Sequence, residues 1–314
     1  MYVMSERIPH TLWALLLGYC CFGPLVAIAE DTLTPSFSLN DLGRSVEDHL
    51  SIDVVESVRV DWSGEEPKLR VIHIHNWHYV SKATFDADQA ALRQDSPDSP
   101  TTDFDDFLRQ VDVVQSEQTK LLSHLIHQGG LKQVFYEGLV QEEVALFNAT
   151  LQSLKSTRPK MARAKQLLPE LREMLREAND KSTGDASEAQ DLKFLCHQLS
   201  STLDTYRADL LQVGAAGKLV LNGEQLAIKP LDSQRWLERT NPVDESGRVR
   251  QVPRRQLEAR EDAMVRELLD ANVKCAVIVL GGGHDLTDNL RRVCRDDWEH
   301  ISVATRSHRR FTKR

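Results

Sequence analysis

The chain has 314 residues, of which 41% are hydrophobic and 27% charged, enough apolar material for one large or two small globular domains. Its 39 Lys and Arg against 47 Asp and Glu leave a formal net charge of −8, which excludes a general phosphate-backbone binder and hence a nucleic-acid partner, because that affinity rests on Lys and Arg displacing counterions. The basic tail from Arg306 to Arg314 is short and reads as a solvated end.

At the amino terminus, Arg7 and His10 precede an apolar run from Leu12 to Ala29 that closes on Ala27-Ile28-Ala29, a small-x-small cleavage pattern. Residues 1–29 therefore read as a signal peptide and the mature protein as exported, periplasmic or extracellular, with no stable membrane span after cleavage. Without cleavage the same run would serve as a membrane anchor. Cys20 and Cys21 follow Gly18 and Tyr19 rather than the small residues that lipidation wants. Removal of 1–29 leaves Cys196, Cys275 and Cys294, an odd number at wide spacing that permits at most one disulfide and no CxxC metal knuckle.

Residues 30–68 form an extension with a possible edge strand, Val58 to Trp62, before a Gly- and Pro-containing turn. Leu69 to Ile74 reads as a strand, and His73, His75 and His78 crowd its carboxyl end. The Asp-, Ser-, Thr- and Pro-rich stretch from Ser81 to Asp106 is expected to be a long loop, potentially a lid. Apolar residues then fall at helical spacing from Phe104 to Gln128, Gly129-Gly130 stops the helix, and Gln133 to Gly138 reads as a strand ending in the carboxylate of Glu137.

Residues 141–213 are expected to be a helical insertion, an antiparallel hairpin broken around Asn179 to Ser187. Asn222-Gly223 between Lys218–Leu221 and Gln225–Pro230 predicts a β-hairpin. After a loop from Asn241 to Pro253, a helix from Arg254 to Ala271 leads into Ala276 to Leu280, a buried strand stopped by Gly281-Gly282-Gly283 and followed by His284 and Asp285. A final strand runs from His300 to Thr305. Strands alternating with helices predict an α/β fold, a mixed or mostly parallel central sheet flanked by helices.

Open α/β sheets place ligands beyond the carboxyl ends of their strands. His78, Glu137 and His284 all lie at such ends, and imidazole with carboxylate suits a divalent metal such as Mn, Co or Zn, with His75 and Asp285 as further candidates. The bland reading of His73 and His75 is a hydrogen-bonded core histidine. Asp285 could equally orient His284 or cap the helix that begins near Leu286. Arg260 shares a helical face with Met264, so it either faces the site, to bind a carboxylate or steady an oxyanion, or forms a surface pair with Glu258 or Glu261. The three glycines lack the Lys-Ser/Thr of a P-loop and the spacing of a dinucleotide fingerprint.

An early strand ending in His78, a strand ending in Glu137, the helical Arg260-Glu-Asp-Ala-Met264 and the strand end Gly281-Gly-Gly-His284 together resemble the superfamily that joins TraB/PrgY proteins, Tiki metalloproteases, ChaN-like haem-binding lipoproteins and erythromycin-esterase-like enzymes. The resemblance spans about Leu69 to His300, leaving out the helical insertion. Tiki-like sequences carry G-x-x-H at the first strand too, where this chain has His75-Asn-Trp-His78. The Tiki-like side of the resemblance implies a metal-dependent hydrolase of peptidase or esterase type, acting on a small-molecule or peptide substrate. His78, Glu137 and His284 would then be ligands or acid–base groups, with Glu137, Arg260 and His284 as the catalytic set. The ChaN-like side implies a haem or small-ligand binder without turnover. A homo-oligomer is compatible with either.

Overall fold

The computed structural model describes residues 36–39, 46–95, 102–180, 186–241 and 251–312. The expected signal peptide and most of the 241–253 loop lie outside the described residues. The elements are α1 (Val46–Leu50), β1 (Val55–Ser63), β2 (Leu69–Asn76), α2 (Lys82–Asp95), α3 (Phe104–Gly129), β3 (Gln133–Val140), a 3-10 turn (Gln141–Glu143), α4 (Val144–Asp180), α5 (Ala186–Gln212), α6 (Gly214–Leu221), β4 (Ala227–Asp232), α7 (Gln234–Thr240), α8 (Arg254–Asp270), β5 (Cys275–Gly281), α9 (Thr287–Cys294), β6 (Trp298–Thr305) and α10 (Arg306–Thr312). No described helix is long and apolar enough to cross a membrane.

The chain divides into two compact units. In the larger, Thr34–Ser156 with Asp204–Arg314, six strands form one sheet in the order β1-β6-β2-β5-β3-β4. Only β1 runs antiparallel, against β6; the other pairings are parallel, so β2, β3, β4, β5 and β6 all finish on one edge. This is the α/β architecture expected from the alternation of strands and helices.

Side-chain alternation splits the core in two. Ile72, Ile74, Val277, Val279, Ile301 and Val303 pack on one face with Leu121, Leu122 and Leu125 of α3, while Leu69, Val71, Ala276, Ile278 and Leu280 pack on the other with Met264, Val265 and Leu268 of α8. Both faces of β5 are covered, which explains its unbroken apolar run. Each fully buried aliphatic contributes about 1.5–3 kcal/mol, so Val279→Asp in mid-strand would break the sheet where it is best packed.

α3 begins at the N-cap Asp103, whose side chain accepts from the Asp105 amide, and stops at Gly130 with φ 68°, the left-handed conformation that glycine adopts freely. Two sequence expectations are overturned. Residues 82–95 are helical rather than looped, because Phe85 packs on Phe107, Val111 and Leu211 and burial outweighs a polar composition; residues 96–101 lie outside the described residues. Lys218 to Leu221 belong to α6 rather than to a hairpin arm, and Ala227–Asp232 pairs parallel with β3 instead of folding back on residues 218–221. Asn222-Gly223 is the stop of that helix, where the Asn222 amide bonds the Leu219 carbonyl, a use of Asn-Gly that local pattern does not separate from a hairpin turn.

The smaller unit includes Thr157–Leu203, the outer part of the expected helical insertion. Within it, Arg172 of α4 reaches Ser200 of α5 at 3.3 Å. The inner part, through Leu151, Leu154 and Val213, packs in the larger unit. Cys196, Cys275 and Cys294 are free thiols; burial pushes the Cys275 thiol up to about 12, which suits core packing.

Candidate active site

The carboxyl edge of the parallel strands gathers the polar residues that sequence placed there one by one. β2 ends at Asn76 and releases His78; β5 ends at Gly281 and releases His284; β4 ends at Asp232; β3 carries Glu137 at a bulge. At that bulge the β3–β4 register slips between Tyr136 and Val140, and Gly138 adopts φ 79°, so the strand turns Glu137 toward β5. The Gly138 amide donates to Asp232 Oδ2 at 2.7 Å, tying the bulge to the neighbouring strand end.

Glu137 is the hub. Its Oε2 accepts the Gly281 amide at 2.6 Å and stands 2.7 Å from His78 Nε2; its Oε1 accepts from Arg260 at 3.2 Å and lies 3.4 Å from His284 Nε2. Burial opposes its charge, yet His78 and His284 hold its carboxyl well below the usual carboxylate range, so it is anionic. Gly281 makes the convergence possible, since a Cβ there would sit 2.9 Å from His78 Nε2 and 3.4 Å from both Glu137 Oε2 and His284 Cδ2.

His284 lies between two carboxylates, with Nδ1 2.7 Å from Glu261. Burial would lower its pKa, but Glu137 and Glu261 outweigh that and raise it to about 9, making it an imidazolium at neutral pH. Arg260 is buried and grips Asp232 through two bonds of 2.7 and 2.8 Å while touching Glu137. Burial disfavours its charge, but Asp232 and Glu137 raise its pKa overall. Its surface-pair alternatives are used elsewhere, Glu258 by Arg254 and Glu261 by His284.

A second set of bonds runs behind His78. Gln118 Nε2 of α3 donates to the His75 carbonyl at 2.8 Å and to Asn76 Oδ1 at 3.1 Å, and Asn76 Nδ2 is 3.1 Å from His78 Nδ1. His78 Nε2 is buried, and its contact with Glu137 is off the hydrogen-bond line.

In front of these groups lies a pocket of about 620 Å³. Asn76, His78, Glu137, Gly281, Gly282, Gly283 and His284 form its floor, Trp77, Val80, Phe85 and Phe107 an apolar wall, and Asp88, Gln89 and Gln110 a polar one. Gln89 Oε1 is buried without a hydrogen-bond partner among the described residues.

The structure thus brings together His78, Glu137, Arg260 and His284, and leaves two expected ligands outside. Asp285 pairs with Arg59 of β1 at 2.8 Å and caps the Thr287 amide at 3.0 Å, so its carboxylate is used at the surface. His75 bonds Ser302 at 2.7 Å and packs against His73 and His308, with burial lowering it to about 4. Arg260 belongs to the cluster but not to the pocket lining, its guanidinium engaged by Asp232 and Glu137. Sequence reasoning missed Asp232, Glu261, Asn76 and Gln118; Asp232 ends a strand, the signal that found the others, but the mistaken hairpin hid it. No protein-family model matches the chain, and no curated protein and no solved structure matches it.

Proposed function

We propose that the protein is a hydrolase of peptidase or amidase/esterase type that takes a small acyl compound or peptide end into this pocket and delivers water to its carbonyl. The observation that carries this reading is one buried carboxylate flanked by two imidazoles at the floor of a half-apolar pocket, with one imidazole held charged by a second carboxylate.

The chemistry closes on the chain's own groups. Glu137 takes a proton from water as the water oxygen bonds the carbonyl carbon. The His284 imidazolium gives its Nε2 proton to the leaving atom as the acyl bond breaks, and Glu137 Oε1, 3.4 Å away, returns a proton to that nitrogen. Arg260, gripped by Asp232, keeps Glu137 in place. The apolar wall suits a hydrophobic group, while the Asp88 carboxylate suits an amine or amide N–H. Substrates with an amino group near the acyl carbon are therefore favoured over anionic ones.

The divalent ion that the family resemblance implies needs three lone pairs aimed at one point. His284 backed by Glu261, with Glu137 beside it, suits an ion. His78 does not complete the set, because its Nδ1 faces an amide donor and its Nε2 is left to carry the proton. Among the described residues no group of three His, Cys, Asp or Glu is arranged to hold a metal.

The test is a screen of chromogenic aminoacyl amides and acyl esters with wild-type protein, Glu137→Gln and His284→Gln. Either variant should lose on the order of a hundredfold to ten-thousandfold in kcat. Turnover that survives both substitutions would place the reaction elsewhere, and absence of turnover with a Soret band on haem titration would favour the binding protein.

A further inference from the structure

Hydrogen-bond polarity behind His78 runs in one direction. The starting point is the backbone carbonyl of His75, which can only accept. The Gln118 side-chain atom that meets it at 2.8 Å must therefore be the amide nitrogen, and the same nitrogen faces Asn76 Oδ1 at 3.1 Å. With its oxygen accepting, Asn76 presents Nδ2 to His78 Nδ1 at 3.1 Å. An NH₂ group cannot accept, so Nδ1 is the acceptor and the ring proton sits on Nε2. Both relay residues are buried, Gln118 at 0% and Asn76 at 5% exposure, so water does not compete for these bonds. The Asn76 backbone is also held, its carbonyl accepting the Gly282 amide at 3.3 Å.

We propose that Gln118 and Asn76 form a tautomer lock that keeps the proton of His78 on Nε2, on the Glu137 side of the ring, so that His78 is neither a base nor a metal ligand. The Nε2 atom is buried 2.7 Å from Glu137 Oε2, so its proton lies against that carboxylate and is shut off from the pocket occupant. There it helps hold the Glu137 carboxylate in its anionic form. The two imidazoles on Glu137 then divide the work: His284, between two carboxylates, moves a proton, and His78 donates without releasing one. Asn76 and Gln118 are positioning residues, acting only through His78. The catalytic half of this inference rests on the hydrolase reading; the lock does not.

The experiment is two-bond 1H–15N NMR of the protein labelled at histidine nitrogen, with His78→Gln to assign the signal, read on the basic side of the ring's titration. Wild type should show the Nε2–H pattern alone. Asn76→Asp, whose two oxygens can accept from Gln118 and from the ring, should convert it to Nδ1–H. Gln118→Met, which does not touch His78, should give a mixture. An Nδ1–H ring or a mixture in the wild type overturns the lock whatever the variants do, and an unchanged Nε2–H ring in folded Gln118→Met overturns the relay. In turnover, Asn76→Asp should lower kcat at least tenfold with KM little changed; an Nε2–H wild type with no hydrolysis of any screened substrate would leave the lock standing and remove the hydrolase reading.

Discussion

Acidification from pH 7 to pH 4.5 should weaken this protein sharply, and a run of buried imidazoles is the reason. His73, His75, His300 and His308 are contiguous, with ring centroids 4.7 Å apart for His73 and His75, 5.6 Å for His73 and His300, and 5.2 Å for His75 and His308. Burial lowers His75 and His300 to about 4, holds His73 well below the ordinary imidazole value and lowers His308. An unfolded imidazole titrates near 6.5, so between about 6.5 and 4 the unfolded chain binds more protons, and stability present above 6.5 is lost as pH falls through that window. For His75 or His300 the displacement corresponds to about 3 kcal/mol; the two do not add, because each ring's charge is felt by the other. Against a typical stability of about 5–15 kcal/mol this is a large share. His284 does not counter it, because its raised pKa makes its contribution complete below 6.5 and lost only toward pH 9. Urea unfolding of wild type and His300→Phe at half-unit steps from pH 7.5 to 4.5 measures this, and the variant should show a visibly shallower fall. A flat wild-type profile between pH 6.5 and 4.5, or an identical slope in the variant, would refute the reasoning.

Arg260→Ala should cost about 3–5 kcal/mol, since it strands the fully buried Asp232 carboxylate and frees Glu137; chemical denaturation reads it, and Arg260→Lys should recover only part because a single ammonium cannot make the fork. Glu261→Gln should move the His284 titration downward from about 9, and the basic limb of any pH–rate profile with it, as NMR and kinetics would register. Gly214→Ala should cost about 1–3 kcal/mol in thermal or urea unfolding, because a Cβ there would lie 1.6 Å from the Tyr136 hydroxyl on a backbone with φ 65°. Elemental mass spectrometry of the purified protein after incubation with Mn²⁺, Co²⁺ and Zn²⁺ should find no stoichiometric ion; one per chain, lost in both His78→Ala and His284→Ala, would show that the lock on His78 opens to admit it.

The sheet was legible wherever burial and period agreed. Ala276 to Leu280 is apolar on both faces because β5 is covered by α3 on one side and α8 on the other, and its glycine stop marks a real strand end. The failures have a common cause, a local signal overruled by distant packing. Residues 82–95 carry a loop-like composition, yet Phe85 finds Phe107 and Leu211. Asn222-Gly223 looks like a hairpin turn, yet Gly214 to Leu221 wind into α6 because Ala215, Ala216 and Leu219 complete the core.

The site divides along the same line. Residues that leave a strand end carry their address in the sequence, which is why His78, Glu137 and His284 could be placed at one edge from a single chain. Residues that complete their electrostatics do not: Glu261 is one of many acidic residues on a polar helix, and only the fold shows that it faces His284 at 2.7 Å while its neighbour Arg260 grips Asp232. Yet these partners decide the chemistry. Two histidines of identical composition sit on one carboxylate, and what separates them is the group behind each ring, a carboxylate for His284 and an amide for His78. A carboxylate accepts the far proton and keeps the ring charged; an amide donates and leaves the near proton in place. Exchanging the two backings, with Glu261→Gln and Asn76→Asp in one protein, should therefore exchange the two roles, and a double variant whose rings kept their original protonation patterns would show that the groups behind the rings do not set them.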